Sequence, residues 1–196
     1  MVTREDLKGK TIAEIKDTLQ HELDVFKITV DEITEEQELL DLEKELMKEH
    51  DETQKALKET VYELKDSVMF DGKEFKKSRI ADNIAYFLNK HEVEWSYTLG
   101  MYQLVQLWRS ANLTQISYEA YDSTLRLLNQ TKFKGYGEWE DILAVNEYLS
   151  SCHEAYVKDT SYLIFIAQKH NTILDRLKLV SPDVVPSEDD IEMPQE

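Results

Sequence analysis

Five histidines, one cysteine and an excess of carboxylates are the groups with which this 196-residue chain could do chemistry. Three of the histidines open a His-Glu pair: His21-Glu22, His91-Glu92 and His153-Glu154. A zinc hydrolase helix carries a second His four residues after the first, so that two imidazoles share a face and the Glu acts as base. Val25, Trp95 and Val157 occupy those positions, and the motif fails each time. The Glu-x-x-His spacing that holds paired irons in helical bundles is also missing. Cys152 stands next to His153, but helical neighbours diverge by about 100°, which keeps thiol and imidazole from acting as nucleophile and base. No Ser lies in a Gly-x-Ser-x-Gly elbow. The acidic run Asp31-Glu32, Glu35-Glu36 and Glu38 lacks the Asp-x-Asp-x-Asp-Gly spacing of a calcium loop. No catalytic, cofactor-binding or metal-ligating residue is assigned, and the chain is expected to be no enzyme and to use no cofactor.

Two stretches suit binding better. Thr131 to Trp139 reads as the longest loop of the C-terminal half and interleaves Lys132, Phe133, Lys134, Tyr136 and Trp139 with two glycines. Basic and aromatic side chains on a flexible connector can stack on or hold a ligand, although a connector tucked onto its own helices has the same composition. Leu39, Leu42 and Leu46 form an apolar stripe on an acidic helix, the pattern of a helix that pairs with a partner or lies on its own core. The basic cluster Lys73, Lys76, Lys77 and Arg79 reads as a solvated helix start, or as a counterweight to acidic segments of the same chain.

Charge narrows the partners. The formal net charge is −17, with 20 acids and 10 bases in residues 1–66, 14 and 13 in 67–180, and 6 acids and no base in 181–196. A chain this negative is poorly suited to gripping nucleic acid or an anionic membrane directly. A single cysteine cannot form an intramolecular disulfide, and the longest apolar run, Tyr162 to Ala167, is far short of a membrane span. With no apolar segment at the N-terminus, a cytoplasmic location is expected.

Five Gly and three Pro among many Glu, Lys and Leu predict an all-α chain with little or no sheet. Thr11-Ile-Ala-Glu14 is a capping box that starts a helix, with Ile12, Ile15, Leu19, Leu23 and Phe26 as its stripe. The β-branched residues from Ile28 to Ile33 predict a break near Val30. A second capping box, Thr34 to Gln37, opens a helix expected over 35–67; a turn near His50 is the alternative, but no Gly or Pro marks one. Written as heptads, its second seam position is too polar for a good coiled coil, so this arm is only partly coiled-coil-like. Asp71-Gly72 signals a tight turn between arm and core. Beyond it, helical stripes begin at Ile80, Glu92, Tyr118, Ile142 and Tyr162, which predicts an up-and-down bundle of about five helices. Its expected centre is Glu92 to Ser110, apolar on nearly every face and so expected to be surrounded. Of three Trp, ten Tyr and six Phe, 15 lie between Tyr86 and Phe165, which places the core in the second half.

The expected organisation is an acidic helical arm over 1–70, an aromatic-rich bundle over 71–180 and a disordered acidic tail over 181–196. It suits a non-enzymatic scaffold or adaptor that binds proteins, including itself as a homo-oligomer. The alternative is an acidic inhibitor or chaperone seated in the basic groove of a nucleic-acid-binding protein.

Overall fold

The computed structural model describes residues 2–110 and 112–181, and the expected tail falls outside them apart from Ser181. The described chain is mostly helical, with two small antiparallel sheets of two strands each. It divides into two compact units, Met1–Ala56 with Val157–Glu196 and Leu57–Tyr156.

The first unit contains α1 (Ile12–Glu32), most of α2 (Glu36–Lys58) and the C-terminal part of α6 (Gly135–Val180). Thr11 caps α1 as expected, accepting from the Glu14 backbone N–H while Glu14 reaches back to the Thr11 N–H. The β-branched residues after Lys27 do not break the helix, because Val30 is fully buried and its packing outweighs its weak propensity. The break comes instead at Ile33, whose carbonyl accepts from both Nε and Nη2 of Arg176 at 3.0 and 2.9 Å. That guanidinium satisfies a carbonyl at the negative end of α1. α2 begins at Glu36 and its first helical bond runs from the Leu39 N–H to the Glu35 carbonyl, one residue past the expected cap at Thr34. It passes His50 without a turn and stops at Lys58, so the predicted run to residue 67 is too long.

The described part of the expected arm in this unit, residues 2–56, packs against the C-terminal part of α6. Ile15, Leu19, Leu23 and Phe26 of α1 and Leu39 and Leu46 of α2 are buried in one cluster with Tyr162, Phe165, Ile166 and Ile173 of α6. His170 meets Glu43 at 2.9 Å, and Tyr162 donates to the Val2 carbonyl at 3.1 Å. Lys169 lies in the same core, 1% exposed, its ammonium 4.4 Å from the centre of the Phe26 ring and 5.1 Å from that of Phe165. Loss of hydration at this site lowers the Lys169 pKa.

The second unit holds β1 (Val61–Glu63), β2 (Ser67–Phe70), β3 (Lys73–Lys76), α3 (Lys77–Leu88), α4 (Thr98–Trp108), β4 (Gln115–Ser117), α5 (Tyr118–Gln130) and the start of α6. β1 pairs with β4 through Tyr62 opposite Ile116, and β2 pairs with β3 through Val68 opposite Phe75. Asp71 (φ 48°) and Gly72 (φ 72°) make the turn between β2 and β3, the two positive φ angles that Asp-Gly supplies. Ser117 caps α5, accepting from the Ala120 N–H. The core gathers Phe75, Ile80, Ile84 and Phe87 with Trp108, Tyr121, Val145 and Tyr148. Trp108 donates to Thr124 Oγ1 at 2.9 Å, and Tyr121 donates to the Leu149 carbonyl at 3.0 Å.

The expected fourth and fifth bundle helices are a single helix, α6. No Gly or Pro separates their stripes. Thr160 and Ser161, which lie between the two stripes, donate their hydroxyls to the Val157 carbonyl within the helix.

Gly100 lies inside α4 with an ordinary helical φ, and a Cβ there would meet nothing within 4 Å. Gly100→Ala is expected to raise stability by about 0.4–1 kcal/mol in a urea melt, by restricting the unfolded chain. A destabilised variant would mean that the helix is distorted at this point.

Candidate functional site

The segment expected to be the buried centre is the most exposed apolar surface of the second unit. Residues 92–100 are all exposed: Trp95 keeps 91% of its surface, Tyr97 68% and Leu99 66%, and Tyr102 in the next turn keeps 60%. Only Leu104, Val105 and Trp108 of α4 are buried. The geometry of an 11-residue helix accounts for the difference. Leu104, Val105 and Trp108 lie on one side at spacings of one and three to four residues, and at 100° per residue Leu99, Tyr102, Gln103 and Gln106 lie on the other. Trp95 and Tyr97 precede α4 in a 3₁₀ turn, Trp95–Tyr97. Exposed aromatics gathered in one short segment are the usual mark of a contact surface.

A second exposed stripe comes from the start of α6, where Tyr136, Trp139 and Leu143 follow one another at spacings of three and four and are 75%, 53% and 50% exposed. Ion pairs hold the acids of this segment. Glu138 accepts from Lys90 Nζ through both oxygens at 2.7 Å, from the Lys134 backbone N–H at 2.6 Å and from the Tyr86 hydroxyl at 2.8 Å. Lys73 bonds to Glu140, and Arg79 to Asp141 at 3.0 Å. Arg79 also lies over the Phe75 ring at 4.5 Å, and Lys77 reaches Asp66 at 3.6 Å. The basic cluster is thus largely spent on neutralising acids of its own unit.

Hydrogen bonds from Lys90, from the Lys134 N–H and from Tyr86 hold the Glu138 carboxyl down at about 2, against an ordinary value of 4.5. A carboxyl with a depressed folded pKa contributes stability that is complete above pH 4.5 and lost as pH falls towards about 2. Glu138→Gln is therefore expected to remove that acid-sensitive component, and an NMR titration of Glu138 should have its midpoint near 2. A midpoint at the ordinary value would mean that these contacts do not persist in solution.

The residues proposed from sequence divide into two groups. In the 131–139 stretch only 131–134 is loop, because α6 starts at Gly135. Tyr136 and Trp139 are exposed, whereas Phe133 packs edge-on against Phe87 with ring centres 5.0 Å apart. The Lys132 carbonyl accepts from Lys90, and the Lys134 N–H is taken by Glu138. Leu39 and Leu46 are 0% and 4% exposed and Leu42, partly buried, packs against the same core, so this stripe lies on its own unit's core. Sequence reasoning missed Tyr97, Leu99 and Tyr102 as surface residues. The available signal was the uncharged run Trp95 to Trp108 in a chain that is 32% charged.

Other chemistry finds little footing among the described residues. No group of three or more His, Cys, Asp or Glu is placed to hold a metal ion. Cys152 is buried, bonds to the Leu149 carbonyl and has its thiol pKa pushed up by burial, the state of an unreactive thiol. A groove of about 220 Å³ between the ends of α3 and α4, floored by Ala81, Trp108 and Leu113, is smaller than the roughly 300–1,000 Å³ of pockets that bury a small molecule. No helix among the described residues is long and apolar enough to cross a membrane. Comparison with known protein families, curated proteins and solved structures finds no match to this chain.

Proposed function

We propose that the chain is a non-enzymatic protein-interaction and assembly factor whose contact surface is the aromatic face of residues 95–102. One observation carries this reading: Trp95, Tyr97, Leu99 and Tyr102 stand exposed together in the least charged segment of a strongly acidic protein. Trp and Tyr give large contact area with few rotamers to immobilise, which is why they dominate binding energy at interfaces. The stripe Tyr136, Trp139 and Leu143 is a second contact candidate of the same chemistry.

The test is a variant with Trp95→Ser, Leu99→Ser and Tyr102→Ser together. Its melting temperature is expected to stay within a few degrees of the parent, because exposed positions contribute little to stability. Chemical cross-linking in a cell extract should show adducts with the parent chain that the variant lacks. Unchanged adducts would defeat the reading. Adducts that vanish steeply with added salt would favour the acidic inhibitor instead, since an apolar contact is little screened.

A further inference from the structure

We infer that the occupant of this face is a second copy of the same chain, laid antiparallel along α4 about a twofold axis. The inference rests on the reading of 95–102 as a contact surface and specifies what covers it.

Electrostatics favours self-pairing here. Two chains of formal charge −17 repel one another, and the repulsion is least where both surfaces are neutral. No charged residue occurs from Trp95 to Trp108. The ends of the face carry opposite charges: Glu92 and Glu94 before it, Arg109 after it, all exposed and without an ion-pair partner among the described residues. α4 is about 16 Å long at 1.5 Å per residue. An antiparallel copy therefore sets the Glu94 end of each chain beside Arg109 of the other, and the twofold makes this contact twice. Gln103, exposed beside Leu99 and Tyr102 and close to the centre of the span from Glu94 to Arg109, carries a donor and an acceptor, so the two copies of this amide can pair across the axis. The four exposed side chains offer on the order of 600 Å² per copy, or about 1,200 Å² per pair, at the lower end of specific interfaces. A reversible dimer follows.

Sedimentation equilibrium of the full chain over a concentration series reads this out. The expected result is a monomer–dimer equilibrium that Leu99→Glu abolishes while the circular dichroism spectrum stays unchanged. Glu94→Arg and Arg109→Glu, each alone, should weaken the dimer roughly tenfold through lost pairs and new like-charge contacts. The two together should restore it. A monomer at every concentration, a dimer indifferent to Leu99→Glu, or a double swap that fails to restore pairing would each overturn the antiparallel dimer. If the chain is monomeric yet forms extract cross-links that Leu99→Glu removes, self-pairing falls and the contact surface stands. If there are neither dimers nor such cross-links, both fall.

Discussion

Trp108→Ala is expected to destabilise the protein by about 3–5 kcal/mol, seen as a lower urea midpoint with the slope unchanged. The indole is 1% exposed and packs in the cluster that joins α3, α4, α5 and the start of α6. Truncation removes a large buried ring and leaves a cavity that a close-packed core fills only in part. It also removes the Nε1–H donor to Thr124 Oγ1, a hydroxyl with no exposure to water. Thr124 keeps its own donation to the Ala120 carbonyl at 2.7 Å, so the orphaned group is one lone pair and packing dominates the loss. Trp95→Ala, thirteen positions earlier, is expected to change stability by no more than about 0.5 kcal/mol. The contrast between two tryptophans of one apolar segment tests the orientation of α4. Similar losses at both sites would mean that the segment is surrounded after all.

Leu39→Ala is expected to cost about 2–5 kcal/mol by the same measurement. Leu39 is completely buried, in a cluster with residues of α1 and α6. The side chain would be nearly dispensable if α2 were a projecting arm awaiting a partner. A cost under about 1 kcal/mol would restore the arm and place Leu39 back among contact residues. The neighbouring positions Gln37 and Asp41 are exposed and bonded to each other at 3.0 Å, so Gln37→Ala serves as a control with little effect.

Much of the fold could be read from local signals, because those signals are set by chemistry within a few residues. The Thr11 cap and the Asp71-Gly72 turn are of this kind. The departures arise where distant chain decides. Val61-Tyr-Glu63 and Gln115-Ile-Ser117 are too short to show an alternation, and each is a strand because the other pairs with it across more than fifty residues. The helix α6 joins the two stripes expected as separate helices, because no Gly or Pro between them ends it. The exposure of residues 95–102 was missed for a related reason. Apolar periodicity shows that a face wants cover but not how many neighbours exist to cover it, and the second unit supplies cover for only one side of α4. The leucines of α2 are the converse case. Their stripe was visible, and the segment that buries them lies more than a hundred residues later in α6.

Hydroxyl-radical footprinting of the full chain across a dilution series is the experiment to make first, because Trp95 and Trp108 act as internal references for each other. If residues 95–102 form an open contact face, Trp95, Tyr97 and Tyr102 oxidise far faster than Trp108 and Tyr121 in dilute solution. Their rates then fall as concentration rises and copies pair, while Trp108 stays slow throughout. Trp95 as slow as Trp108 at every dilution, in a chain that sediments as a monomer, would show that the segment is buried in its own fold and is not a contact surface.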